Sequence, residues 1–381
     1  MGRVAFVLLA GSLVALVSGP GRASLYSPDE LRFTVPVGED GKARPLRPDE
    51  FRTALAVLMN ALDKKVPADR EVFLKRIERA KGKKLSPPET AALAADLLRV
   101  GRADEALDTL APRLRDRVPD YFVYTTYANI RATARDWAEA LRYHQSAQFD
   151  SEMPAEVKGL SKAQRDWWEK LDRDYVPHYY RLRLKEADER RDRSRSEQEK
   201  LDENEDVFPL FPVPDRANPN PQPVRFVNDA GVYQPGALAA AERAKLPPDA
   251  IPIVQQLLLW FPTENRLYWL LAELYAAEGD FAASFGSFHS IAWGRAYGNR
   301  KVFMDHRQAV EAALNAQPRK ASADEPLLST TPEPAPIEPA EKPPISMRTI
   351  WIYFGVVGVI ALFAFIRAMS RRARGHCGPA G

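Results

Sequence analysis

The sequence predicts an all-α protein built from repeated helix pairs, an α-solenoid, with flanking helices, one small hairpin and one C-terminal membrane helix. Three observations predict it. In Leu93–Leu110 and in Leu270–Phe288, apolar residues at helical spacing flank a central glycine, Gly101 or Gly279. The pattern of the first stretch recurs 34 residues further on. Near the C-terminus, Thr349–Ile366 contains no charged residue.

Residues 1–23 begin with Arg3, run through an apolar core from Val4 to Val17, break at Gly19-Pro20 and end in Gly21-Arg22-Ala23. This is the pattern of a secretory signal peptide cleaved after Ala23, with an uncleaved anchor as the other reading. No cysteine follows, so it is not a lipoprotein signal. Residues 24–85 form an N-terminal helical cap. Phe51, Ala54, Leu55, Leu58 and Leu62 share one face, as do Phe73, Leu74 and Ile77, and LRFTVPV before them suits a short strand.

The first repeats occupy 86–150. Ser86, Pro87 and Glu89 open a helix with a capping box. Gly101 then separates the face of Leu93, Ala94, Leu97 and Leu98 from that of Ala103, Ala106, Leu107 and Leu110. Two short helices fit this better than one, because an interior glycine costs about 1 kcal/mol. A shift of 34 residues carries Ala94 onto Ala128, Gly101 onto Arg135, Ala103 onto Trp137 and Ala106 onto Ala140. Pro112 should shorten the second helix.

Residues 151–249 are a helical, charged and proline-rich insertion. Ser161 and Gln164 start a helix carrying Trp167, Trp168, Leu171 and Tyr175 and ending before Pro177. Arg181–Asp206 reads as a solvated helix fading into a linker. FPLFPVPDRANPNPQP is an irregular loop, and Asn228–Gly231 is a hairpin turn. A third helix pair and a further helix fill 250–316.

Eight prolines in Gln317–Ser346 predict an extended stalk (317–346), up to roughly 90 Å long at about 3.1 Å per residue. The apolar segment 349–366 covers roughly 27 Å at about 1.5 Å per residue. Trp351 and Tyr353 sit at its start, and four arginines follow it in the tail 367–381. Positive charge marks the cytoplasmic side, so the tail is cytoplasmic and the body extracytoplasmic, the orientation that the signal peptide also requires. The formal charge of +3 divides as +2 on residues 1–23, +4 on 367–381 and about −3 on the body, which excludes a basic nucleic-acid-binding field there.

The small residues at helix contacts and the aromatic residues flanking them resemble tetratricopeptide repeats over roughly 86–150 and 250–295. In the third pair, Tyr268, Leu271, Ala272, Tyr275, Gly279, Phe281, Ser284 and Phe288 match the family's pattern; His144 departs from it where an apolar aromatic residue is usual. The resemblance implies a concave groove that binds peptides or proteins, faced by Phe122, Asn129, Arg266, Trp269 and Glu273.

Cys377 is the one cysteine, so the body has neither a disulfide nor a thiolate site. The five histidines make no HExxH pair or zinc spacing, and no phosphate loop, nucleophile elbow or EF-hand is present. The expectation is therefore a non-enzymatic, membrane-anchored scaffold with no metal or cofactor, whose partners are proteins or peptides of the cell envelope. Two alternatives stay open: an enzyme or enzyme subunit with a site in 160–250, and a surface protein carrying a C-terminal sorting signal at Pro332-Glu333-Pro334.

Overall fold

The structure is a computed structural model that describes residues 30–64, 67–157, 159–191, 207–292 and 300–317. The chain divides into two compact units, Met1–Pro318 and Arg319–Gly381, and every described residue belongs to the first. The expected signal peptide, membrane helix, sorting triplet, arginine tail and all but the first residue of the stalk lie outside the described residues. Among the described residues no helix is long and apolar enough to cross a membrane.

The described body is all-α. Helices α1 (Pro48–Leu62) and α2 (Pro67–Ala80) precede α3 (Pro87–Arg99) and α4 (Ala103–Leu110). Next come α5 (Tyr121–Thr133) and α6 (Trp137–Asp150), then α7 (Lys162–Lys170) and α8 (Val176–Arg191). The last four are α9 (Ala250–Trp260), α10 (Asn265–Ala277), α11 (Phe281–Ala292) and α12 (Arg300–Ala316).

Three pairs share one construction. The second helix starts 16 residues after the first each time: Pro87 and Ala103, Tyr121 and Trp137, Asn265 and Phe281. The turn residue is left-handed in all three, with φ of 75° at Gly101, 60° at Arg135 and 79° at Gly279. One residue later the backbone N–H closes a six-residue cap, Arg102 to Leu97, Asp136 to Arg131 and Asp280 to Tyr275, at 2.9–3.0 Å. Small residues occupy the crossings. Ala94, Ala106, Ala128, Ala140, Ala272 and Ser284 are all fully buried, and Ser284 Oγ donates to the Ala272 carbonyl at 2.8 Å. As Pro112 requires, α4 stops at Leu110 and the chain continues in a short 3-10 turn, Arg113–Arg115.

The N-terminal helices pack on α3 through Phe51, Leu55, Leu58, Phe73 and Ile77. Arg76 clasps the buried Asp96 with two hydrogen bonds, one of them at 2.8 Å. Leu74, expected on the packed face, is 37% exposed. The LRFTVPV segment forms a strap instead of a strand. Gln256 of α9 accepts from Val35 N–H (2.9 Å) and donates to the Phe33 carbonyl (3.1 Å). Gln255 does the same for the N–H and C=O of Leu46 (2.8 and 2.9 Å). Phe33 and Val35 are buried, and the fully buried Arg99 lies over the Phe33 ring.

Two features of the insertion differ from expectation. The helix begun at Ser161 does not stop at Pro177. A π turn, Leu171–Tyr175, intervenes and places Pro177 in the first turn of α8, where a missing N–H is tolerated. The Asn228–Gly231 turn forms, with Asn228 N–H on the Val232 carbonyl, but no hairpin strands flank it. Val227 N–H is taken by the Arg225 carbonyl, Arg225 N–H by Glu242, and Pro223 and Pro235 have no N–H, so a ladder cannot extend. Among the described residues the one β-type pairing is the isolated bridge Val37–Ala43.

Candidate functional site

All five residues that the resemblance places on an open groove are buried, and the chain's own helices cover them. Phe122 is 4% exposed and Asn129 0%. Helix α8 lies over this face: Tyr180 donates its hydroxyl to Asn129 Oδ1 at 2.6 Å, and Trp137 meets Tyr179 edge-on. Tyr179 and Tyr180 are fully buried, and burial holds both phenols well above their ordinary range.

Helix α12 covers the second face. Trp269 donates its indole N–H to Glu273 Oε1 at 2.7 Å and meets Phe303 edge-on at 5.2 Å. The same Glu273 oxygen pairs with His306 Nδ1 at 2.7 Å. Glu273 is 1% exposed, and the Trp269 N–H, together with His306 in the tautomer protonated at Nδ1, offsets the burial of its carboxyl group. Arg266 is ion-paired with Glu186 and lies over the Phe208 ring. The insertion's aromatic residues complete the seal: Phe208 packs on Tyr179, and Phe211 on Tyr175. The charged start of the Arg181–Asp206 run is therefore partly structural, since Arg183 binds Glu186 at 2.9 Å and Glu264 at 3.5 Å. Residues 192–206 lie outside the described residues.

Two buried histidines belong to the same interior. His144, in the position where an apolar aromatic residue was expected, bonds through Nε2 to the Asp172 carbonyl at 2.7 Å. Burial lowers its pKa. Burial first, and Arg181 second, bring His178 down to about 4.

Among the described residues, a cleft of about 820 Å³ lies beside the covered face. Its walls come from α8, the extended chain 207–227, Tyr233, the 242–245 turn, α10 and α12. Val207, Pro209, Val224, Phe226 and Val302 supply apolar surface. Tyr233 and His306 form a parallel stack at its edge, 3.5 Å apart and 4° from coplanar. Glu273 fixes His306 through Nδ1, which orients the ring. The Tyr233 phenol is pushed well above its usual range by burial and then by Glu273.

The charged groups of the cleft are mostly engaged. Glu186 serves Arg183 and Arg266, Glu189 lies 3.9 Å from Lys185, and Glu242 binds Lys245 at 2.8 Å. Arg225 is different: its backbone N–H donates to Glu242 at 2.8 Å, and its exposed side chain, within Coulombic reach of the same Glu242, makes no close ion pair among the described residues. Sequence patterns carried no sign of this cleft, because its walls are joined only in the fold. Among the described residues no cluster of three potential metal ligands occurs.

No family model, curated protein or solved structure matches this chain.

Proposed function

We propose that the protein is a membrane-anchored, extracytoplasmic scaffold whose tetratricopeptide-like helix pairs serve protein–protein contact. The common 16-residue spacing, left-handed turn and six-residue cap of the three pairs support the repeat reading. The inner faces are filled in cis, so partners meet the body elsewhere. The observation that carries this is the free end of the α5/α6 pair. Phe149 at the end of α6 is 83% exposed, and Val118 just before α5 is 78% exposed. An antiparallel pair puts both residues at the same end of the pair, and on this reading the two exposed side chains belong to one apolar contact surface.

Crosslinking of the full-length protein in membranes tests the reading. Phe149→Asp and Val118→Asp are expected to reduce capture of discrete envelope proteins while leaving the melting temperature unchanged. Trp269→Ala and Asn129→Ala are expected to lower stability instead. Unchanged capture in both surface variants would remove this reading.

One observation favours a second reading, an enzyme or enzyme subunit using the 160–250 region. The cleft that this region lines on one side also holds His306 of α12, oriented by the Glu273 carboxyl group of α10. Site-mapped acylation of His306 by a reactive ester in the native protein would support it, and an inert His306 would remove it.

A further inference from the structure

The cleft has a chemistry that a protein scaffold does not require. An extended peptide would need backbone partners along the wall, and this wall has few. Val224 N–H donates to Phe211, Arg225 N–H to Glu242 and Val227 N–H to Arg225, while Pro209 and Pro223 carry no N–H. The surface left by that arrangement is apolar side chain, from Val207, Val224, Phe226 and Val302. Its volume, about 820 Å³, suits a small molecule. The acids around it each have a cation of the fold as close partner, Glu242 having Lys245, so Arg225 feels Glu242 only through space and makes no close ion pair among the described residues.

We propose that this cleft binds a small anionic amphiphile, an apolar body carrying one carboxylate-type head, with the body against the 207–227 wall and the head on Arg225. A guanidinium takes such a head with two parallel N–H donors, whereas a neutral alcohol of equal length leaves that charge unmatched. The site is separate from the exposed α5/α6 end, so ligand binding and partner capture can be lost independently.

The test is photo-crosslinking of the full-length protein in its host membranes with diazirine-bearing decanoate and with the corresponding decanol, followed by peptide mapping. The expected label lies on 207–227 and the start of α12, with the acid favoured about tenfold over the alcohol. Arg225→Glu is expected to remove that preference and Arg225→Lys to retain most of it. The fold holds this exposed residue by its backbone N–H and carbonyl, which both variants keep, so both should retain the wild-type melting temperature. Unlabelled decanoate and 4-phenylbutyrate serve as competitors; success of either supports the class and identifies the body as alkyl or aromatic. Labelling elsewhere, equal labelling by acid and alcohol, an Arg225→Glu variant that labels like wild type, or no competition by either acid overturns the proposal. Partner capture that persists in Arg225→Glu leaves the scaffold reading standing in each case.

Discussion

Arg135 occupies a position that glycine holds in the two equivalent turns, and this sets up a paired experiment. Its φ is 60°, beside 75° for Gly101 and 79° for Gly279, and its side chain is exposed. A left-handed conformation costs an L-residue about 1–2 kcal/mol. Glycine removes that cost but adds about 0.4–1 kcal/mol of freedom to the unfolded chain. Arg135→Gly should therefore stabilise the protein by about 0.5–1 kcal/mol. Gly279→Ala should destabilise it by a similar amount, purely through the backbone, because a Cβ there meets nothing within 4 Å. With a urea dependence of about 2 kcal/mol per molar, the midpoints move by roughly 0.3–0.5 M in opposite directions. Tryptophan fluorescence during urea unfolding reads both shifts. A lower midpoint for Arg135→Gly, or an unchanged one for Gly279→Ala, would refute the claim that the three turns are equivalent.

Three more outcomes are expected. His178 takes up a proton near pH 6.5 when unfolded but only near 4 when folded, so stability is lost as pH falls through that window, by up to about 3 kcal/mol. His178→Phe should flatten the difference between urea midpoints at pH 7 and pH 5. Gln256→Ala leaves Val35 N–H and the Phe33 carbonyl without their buried partner, costs about 2–3 kcal/mol and should speed amide exchange at Val35. Ala272→Leu overpacks the contact with Ser284 and should lower stability by about 1–3 kcal/mol, seen as a lower melting temperature.

The parts of the fold legible in sequence were those governed by local rules. Ala94, Ala128 and Ala272 mark close approaches because larger side chains do not fit, and Gly101 and Gly279 mark turns because the backbone there is left-handed. Pro112 shortens α4 for the same local reason. What sequence could not show is tertiary. Trp269 and Asn129 have the spacing of a groove face, but whether that face is open depends on α8 and α12, which are distant in sequence. Pro177 reads as a stop until a π turn resets the helix ahead of it. The cleft draws its wall, its Tyr233–His306 stack and Arg225 from segments between Glu186 and His306, so no single window contains it.

The strap sets an order of assembly. Val35 and Leu46 are among the first described residues to be synthesised, yet their hydrogen-bond partners follow 221 and 209 residues later. Until Gln255 and Gln256 emerge, this stretch has no native partner for those backbone groups, however well α1 to α6 have already packed. Contacts of such long separation form slowly, since the whole intervening chain must be closed into a loop first. The beginning of the body is thus fastened late, and a chain truncated before α9 would keep two of the three helix pairs while losing the fastening itself.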